Sequence, residues 1–314
     1  MQPTNLIALD STQMGTQTCA ALLGDRATAK LVNMVPSKNK ADVYSRVANV
    51  MRMRLKSMKT EECPAVKMLY RNHSNEFFHR SVWKRPTMTI LYGATYMTYT
   101  NHLQEDVKTA TGVKLTNEEA KFLGKLTEEV LVEVLPAAVL LMRSLTGIVS
   151  TVISTTGQPF IFTTATGAVF KAGKYKNALA KSLGRSAGFD LKIPYETNNL
   201  NVKASAKSAA AQFIQSFDAV IAADIQRGMC ARGVPVLSVF DSWSVPYGYT
   251  QTLLEVAREA YIKHLSNNPL YSFYNESKAR YQFLWKQEHS HLFLSRGEYS
   301  IEKELPKCSH FIGI

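Results

Sequence analysis

The chain has 314 residues, of which 46% are hydrophobic and 20% charged, a globular composition that excludes a disordered, collagen-like or fibrous protein. It contains 37 lysines and arginines against 25 aspartates and glutamates, a formal net charge of +12 at pH 7. An excess of this size favours nucleic acid or nucleotide as the partner, because each cation that meets a phosphate releases counterions. A basic surface without such a partner is the alternative that composition leaves open.

The chain carries no sign of secretion or of a membrane partner. Residues 1–10 lack the basic and long apolar regions of a signal peptide, and the four cysteines have no CxxC spacing. The most apolar long stretch, residues 130–148, contains Glu133, Pro136 and Arg143, and each charge would cost roughly 2.5–3.5 kcal/mol at the centre of a membrane helix. We therefore expect a buried helix there, and a cytoplasmic protein.

The predicted elements begin with a short strand over residues 5–10, whose unbroken apolar run is typical of a strand buried on both faces. Helical patterns cover residues 16–23, 40–59, 75–99, 117–143, 206–232, 251–265 and 271–285. Residues 151–170 are rich in Thr, Val, Ile and Phe and predict a hairpin with its turn at Thr156-Gly157. A second short strand is predicted over residues 235–240.

Each predicted strand runs directly into an aspartate, Asp10 in the first case and Asp241 in the second. A carboxylate in this position is commonly a turn former or a helix N-cap. The two aspartates alone therefore do not distinguish a catalytic pair from this structural role. The segment between them carries the evidence that can distinguish the two interpretations.

That segment places Arg80, Lys84, Met88 and Tyr92 at successive steps of four, so on a helix all four lie along one face. Arg80 can grip phosphate oxygens in a bidentate manner, and Lys84 offers a point charge to a triphosphate. Tyr92 offers a flat surface to a base or sugar. The alternative is a solvated charged face with Met88 and Tyr92 in the core.

Three segments, taken in order, resemble motifs A, B and C of the single-subunit DNA-dependent RNA polymerases of bacteriophages and mitochondria. They are the strand ending at Asp10, the R-x3-K-x7-Y-G segment over residues 80–93 and the strand ending at Asp241. The run D-S-T-Q-M-G-T-Q from Asp10 resembles the family's D-G-S-C-S-G-I-Q. Further similar runs are L-V-N-M-V-P-S from Leu31, D-V-Y from Asp42, T-G-Q-P from Thr156 and A-Q-F-I-Q-S from Ala211. The resemblance covers nearly the whole chain.

The resemblance implies an α+β fold, a partial right-hand polymerase made of the fingers and the catalytic part of the palm. Such a fold is mostly helical with a small antiparallel palm sheet. Residues 1–40 would be palm with motif A, and residues 41–215 would be fingers with the motif B helix at 75–99. Residues 216–314 would be palm with motif C and the C-terminal tail.

The resemblance also implies a catalytic site. Asp10 and Asp241 would hold two Mg²⁺ ions roughly 3.5–4 Å apart, as phosphoryl transfer requires, with the backbone carbonyl of Ser11 as a further ligand. Arg80 and Lys84 would hold the incoming triphosphate, and Lys84 could donate a proton to the departing pyrophosphate.

Sugar selection follows from the same comparison. Tyr92 would stack at the insertion site, and Gly15 stands where related DNA polymerases carry a bulky glutamate, so ribonucleotides are favoured. Gln215 replaces a histidine that contacts the tyrosine and the ribose 2′-hydroxyl. Two other departures are Phe240, in place of the histidine before the motif C aspartate, and Pro86, which predicts a kink or local unwinding beside Lys84.

Family members carry several hundred residues before motif A, whereas this chain has nine residues before Asp10. We therefore expect a second polypeptide that supplies the N-terminal half, as in the split polymerases of some phages. The expected partners are a DNA template, the RNA product and NTPs, in the cytoplasm of a bacterial host.

Basic residues fit a nucleic-acid channel, with solvated helix faces as the alternative: Arg52, Arg54, Lys56, Lys59, Lys171, Lys174, Lys176, Lys181 and Arg185. Two other functions remain open. One is a DNA polymerase or primase of the same superfamily, against which Gly15 speaks. The other is a non-catalytic nucleic-acid-binding virion protein.

Overall fold

The central sheet has four antiparallel strands: β1 (Leu6–Ser11), β6 (Leu237–Val239), β7 (Ser242–Pro246) and β8 (Ile312–Gly313). Their order across the sheet is β6-β7-β1-β8. The computed structural model describes residues 5–59, 63–180, 193–281, 293–294 and 296–313.

Thirteen α-helices lie entirely within these ranges, together with two separate two-stranded ribbons. The helices are α1 (Met14–Leu23), α2 (Arg26–Leu31), α3 (Val43–Ser57), α4 (Pro64–Asn72), α5 (Ser74–Phe77), α6 (Arg80–Thr89), α7 (Tyr96–Thr111), α8 (Asn117–Val134), α9 (Pro136–Thr156), α10 (Val202–Ala231), α11 (Thr250–Leu265), α12 (Pro269–Arg280) and α13 (Ile301–Glu304). The ribbons pair β2 (Phe160–Thr163) with β3 (Val169–Ala172) and β4 (Tyr175–Ala180) with β5 (Ile193–Leu200). The expected α+β architecture, mostly helical with a small antiparallel sheet, is confirmed.

Strand alternation gives the central sheet one buried and one exposed face. Leu9, Trp243 and Val245 are buried, and helix α11 packs against β7. Asp10 points to the exposed face, where Ala8 is also exposed. The prediction that the first strand is buried on both faces is therefore wrong, and the exposed face leaves the carboxylate accessible.

The predicted helix over residues 75–99 is wrong as a single element. It is divided into α5, α6, a 3₁₀ turn over Ile90–Tyr92 and the start of α7. His79 caps α6 by accepting a hydrogen bond from the Ser81 amide. Gly93 takes a left-handed conformation at φ +73° and closes the 3₁₀ turn, which a glycine does without the penalty that a Cβ imposes. Local capping chemistry therefore overrides the continuous helical pattern.

The expected unwinding beside Lys84 is also wrong. Helix α6 continues through Lys84 and Pro86 to Thr89, and the backbone tightens into the 3₁₀ turn only at Ile90. The Thr89 hydroxyl donates to the carbonyl of Arg85 at 2.9 Å. The cationic residues consequently stand on regular helix.

Two further predicted boundaries differ from the structure. The helix expected over residues 117–143 breaks at Leu135 because Pro136 begins α9, a position where its missing N–H costs nothing. Gly157, at φ +65°, ends α9 instead of forming a hairpin turn. The hairpin itself is β2–β3, and its loop contains Gly167 at φ +83°.

Helix α9 is long and apolar enough to cross a membrane by length and composition, with a mean hydropathy of 1.7 over its most apolar window. Half of that window is buried within the protein, where α9 packs against α10 and α1. The predicted helix over residues 271–285 corresponds to α12, which ends at Arg280. Residues 282–285 lie outside the described ranges.

A buried polar network holds β1 in place on its buried side. The Ser11 hydroxyl lies 2.9 Å from that of Tyr261, which in turn donates to Gln17 Oε1 at 3.0 Å. Gln17 Nε2 donates to the carbonyl of Phe311 at 2.8 Å. Because Thr12 N also donates to that carbonyl, the C-terminal tail is bonded to the segment that follows Asp10.

Candidate active site

The pairing of β1 with β7 brings together the two aspartates predicted from the sequence. Asp10 lies opposite Ser242 in the antiparallel register, and the Ser11 amide donates to the Asp241 carbonyl at 3.0 Å. Asp241 occupies the tight turn between β6 and β7, where Phe240 takes φ +55°. Strand pairing thus places both carboxylates at the same end of the sheet.

Burial and charge act on both carboxylates. Burial raises the pKa of Asp10, an effect that the charges of Lys84 and Lys40 partly offset. The pKa of Asp241 is raised by burial and then by the negative charge of Asp10, while Lys84 opposes the shift. Neither carboxylate forms a salt bridge with a described residue. The two carboxylates are partly desolvated and repel each other, and a bound cation would stabilise both of them in the charged form.

The donor atoms here fit a hard divalent cation, which prefers oxygen ligands. Besides the two carboxylates, the Ser11 carbonyl accepts a hydrogen bond from Gln13 N at 2.9 Å and keeps a second lone pair. The Ser11 hydroxyl points away, toward Tyr261. Within the described ranges, no cluster of three His, Cys, Asp or Glu side chains suited to a metal exists. The candidate metal site therefore consists of two carboxylates and backbone oxygen.

The predicted cationic face of α6 is exposed. Lys84 is exposed, Met88 and Tyr92 are 37% and 38% exposed, and the opposite side of the helix buries Val82 and Trp83 completely. The alternative that places Met88 and Tyr92 in the core is wrong. Lys84 is close enough to act electrostatically on both aspartates.

Arg80, on the same face, is held by the segment that contains the D-V-Y run. Its Nε donates to Asp42 Oδ2 at 2.7 Å, and its guanidinium lies 5.2 Å from the centre of the Tyr44 ring. The remaining guanidinium nitrogens make no hydrogen bond with a described residue. Arg80 is thus oriented by Asp42 and Tyr44 and keeps N–H donors for a ligand.

A cavity of about 600 Å³ lies beside Asp241. It is lined by Gln13, Met14, Gly15, Met88, Leu91, Tyr92, Gln212, Gln215, Asp218, Ala219, Ala222, Phe240 and Asp241. The structure therefore joins four predicted site residues, Gly15, Tyr92, Gln215 and Asp241, around one space of ligand-binding size. Asp10, Ser11, Arg80 and Lys84 are not among the residues that line this cavity.

Gly15 lies in the first turn of α1 and faces the 3₁₀ turn. A Cβ at this position would lie 2.9 Å from Leu91 Cδ1 and 3.9 Å from the Tyr92 hydroxyl. A glutamate there would collide with these side chains or project into the cavity. The absence of a side chain keeps the space beside Tyr92 open.

Two cavity residues escaped the sequence analysis. Gln13, in a left-handed conformation at φ 58°, donates from Nε2 to the Thr87 carbonyl at 3.1 Å and so joins β1 to α6. Asp218 follows Gln215 by three residues on α10 and shares its face. The spacing of three residues could have placed Asp218 on the same helix face as Gln215. The burial that makes Asp218 unusual comes only from tertiary packing.

Burial raises the pKa of Asp218 to about 7, and the charge of Asp241 adds to the shift. Asp218 Oδ1 is fully buried without a hydrogen-bond partner in the described structure. A third carboxyl group therefore stands beside the site, and near neutral pH it is partly protonated.

The predicted basic channel is only partly described. Arg54 forms a salt bridge with Glu133 at 2.6 Å, and the Arg52 guanidinium lies 4.8 Å from the centre of the Phe78 ring. Both contacts are compatible with the solvated-face alternative. Lys181 and Arg185 lie outside the described residues.

A family profile described as DNA-dependent RNA polymerase matches residues 4–307 of the chain. The chain belongs to this family. It is 26% identical over 148 residues to the DNA-directed RNA polymerase of Pseudomonas phage phiKMV, an alignment that covers 44% of this chain and 18% of the phage protein. It is 35% identical over 108 residues to the mitochondrial DNA-directed RNA polymerase of Schizosaccharomyces pombe, covering 34% and 9% of the two chains. The resemblance stated from the motifs is confirmed at the level of the family, and the chain spans a minor part of either relative.

The unusual pKa of Asp218 predicts a pH-dependent effect on stability. Between its ordinary pKa of 3.8 and about 7, the folded protein keeps a proton that the unfolded chain loses, so wild-type stability falls as pH rises through this window. Asp218→Asn should therefore match wild type at pH 4 and melt about 5 °C or more higher at pH 8. Thermal unfolding monitored by circular dichroism measures the difference.

Asp224→Asn, on the same helix, is the matched control. Burial would raise the pKa of Asp224, but hydrogen bonds from Lys263, His264 and Arg227 lower it below its usual range. This control should lose stability at pH 8. An Asp218→Asn variant that is equally or less stable than wild type at pH 8 would contradict the assigned environment.

Proposed function

We propose that the chain is the catalytic subunit of a split, phage-type DNA-dependent RNA polymerase that adds ribonucleotides to an RNA 3′ end on a DNA template. The observation that carries this proposal is the convergence of Asp10 and Asp241 beside a nucleotide-sized cavity, with Lys84 within electrostatic reach. Family membership supplies the reaction class.

Each site residue has a role in this proposal. Mg²⁺ bound by Asp10 and Asp241, with the Ser11 carbonyl, would supply stabilisation of the attacking and leaving oxygens of the transfer. Lys84 would neutralise the triphosphate and donate a proton to pyrophosphate. Arg80, oriented by Asp42, would bind phosphate oxygens through its remaining donors.

The cavity supports a preference for ribonucleotides. Tyr92 is 38% exposed and lines the same cavity as Gly15, which has no side chain to enter that space. Gln215 lies at the same cavity and can donate to or accept from a sugar hydroxyl. A DNA polymerase or primase should instead prefer deoxynucleotides, so comparison of the two substrates separates these functions.

The exposed face and edge of the sheet support a second polypeptide. Strand β6 has no partner on its outer side in the described structure. Leu237, Val239 and Phe240 are 64%, 68% and 89% exposed. An apolar unpaired edge is a site for strand addition or packing, and we propose that the N-terminal half of the polymerase covers it.

The four cysteines form no disulfide bond, which fits the proposed location in a reducing bacterial cytoplasm.

Asp241→Asn should abolish nucleotide addition and leave DNA binding largely intact. The amide keeps the shape but removes the charge that would bind the cation, a loss of several kcal/mol that lowers the rate by about 10³-fold or more. Primer extension with NTPs and Mg²⁺, on the native assembly, measures the rate, and a DNA mobility shift measures binding. Asp224→Asn should retain activity. Normal extension by Asp241→Asn would remove the catalytic assignment.

The proposed partner can be tested at the β6 edge. Leu237→Lys places a charge on the apolar edge and should reduce copurification of the N-terminal polypeptide at least about tenfold, because edge lysines oppose pairing. Leu140→Lys, at a residue that is 53% exposed on α9, should have no effect. Mass measurement of the tagged chain purified from the cells that produce it identifies the assembly. Full promoter-independent RNA synthesis by the purified chain alone would refute the split enzyme.

A further inference from the structure

One face of α10 forms a wall of the cavity beside the aspartates. Gln212, Gln215, Asp218 and Ala222 follow each other at steps of three or four and all line the space. Of these, Asp218 is the only carboxylate. It follows Gln215 by about one helical turn and lines the same cavity as Gly15 and Tyr92.

Two oxygen acceptors on residues that line this cavity have no hydrogen-bond partner among the described residues. The Asp218 carboxyl makes no hydrogen bond with any described residue, and its Oδ1 is fully buried. Gln13 Oε1 is likewise buried and unpartnered, although its Nε2 is held by the Thr87 carbonyl. A buried polar group without a partner costs about 1–3 kcal/mol. Each such group requires an explanation, and use by a ligand or in catalysis is one.

The chemistry of the ligand follows from these acceptors. A phosphate placed against Asp218 would be repelled whenever that carboxyl is ionised, because the proposed cation is held by Asp10 and Asp241 and not by Asp218. An apolar group would leave both acceptors unsatisfied. A hydroxyl group can donate a hydrogen bond to either acceptor, and Asp218, Gly15 and Tyr92 line the same cavity.

We propose that Asp218 hydrogen-bonds a ribose hydroxyl of the incoming nucleotide and is a specificity-determining residue of the polymerase. This inference rests on the proposed function. Asp218 would act together with Gln215 and Gln13, which supply polar groups from the same cavity wall and from the segment after β1. Asp10 and Asp241 would remain the metal-binding pair.

The test compares single-nucleotide addition by wild type, Asp218→Ala and Asp218→Asn in the native assembly. Substrates are an NTP and its 2′-deoxy and 3′-deoxy analogues. For Asp218→Ala, the KM for the NTP should rise about tenfold, the effect of one lost hydrogen bond in a buried site. The KM for the analogue that lacks the contacted hydroxyl should change less than about twofold. The two analogues thus identify the hydroxyl.

Asp218→Asn keeps an acceptor oxygen of the same shape and should recover most of the affinity for the NTP. This conservative variant also guards against misfolding of the alanine variant. Asp224→Asn, on the same helix outside the cavity, should leave all three KM values unchanged.

An equal rise in KM for all three substrates, or none, would overturn the inference. So would a changed Mg²⁺ requirement with unchanged sugar discrimination, because Asp218 would then be a metal ligand. Absence of any nucleotide addition by wild type would instead refute the proposed function itself. The two failures are therefore distinguishable.

Discussion

The pairing of β1 with β7 is the constraint on which the candidate site depends. The Ser11 amide donates to the Asp241 carbonyl, and Asp10 lies opposite Ser242. These contacts join residues from opposite ends of the chain and hold two carboxylates together although each charge disfavours the other. Successive side chains of a strand point to opposite faces of the sheet. A register slip of one residue would therefore move the Asp10 side chain from the exposed face to the core.

The surrounding structure protects this register. Ser11, Tyr261 and Gln17 form a continuous buried hydrogen-bonded network that reaches the carbonyl of Phe311 in the C-terminal tail. Buried networks of this kind stabilise one arrangement because breaking any member leaves its partner unsatisfied. The other side of the cavity depends on Gln13, which joins the segment after β1 to α6. The sheet, the tail and the cationic helix are thus coupled around one cavity.

Local chemistry in the sequence predicted part of this arrangement. Short-range spacing predicted aspartates at two strand ends and placed Lys84, Met88 and Tyr92 on one helix face, but it left open whether Met88 and Tyr92 lie in the core. It did not predict that the helix over 75–99 is divided, because His79 and Gly93 impose local caps that a hydrophobic pattern does not contain. Residues such as Asp218 depend on packing between α10, α1 and the 3₁₀ turn. Burial of a carboxyl group is a tertiary property, and no spacing rule predicts its pKa.

The most direct measurement of the central claim is Mn²⁺ binding followed by electron paramagnetic resonance, with Mn²⁺ as the spectroscopic substitute for Mg²⁺. If Asp10 and Asp241 share one cation-binding site, Asp10→Asn and Asp241→Asn should each weaken Mn²⁺ binding by about tenfold or more. Asp224→Asn should bind as wild type does. Unchanged Mn²⁺ affinity in both aspartate variants would contradict the account.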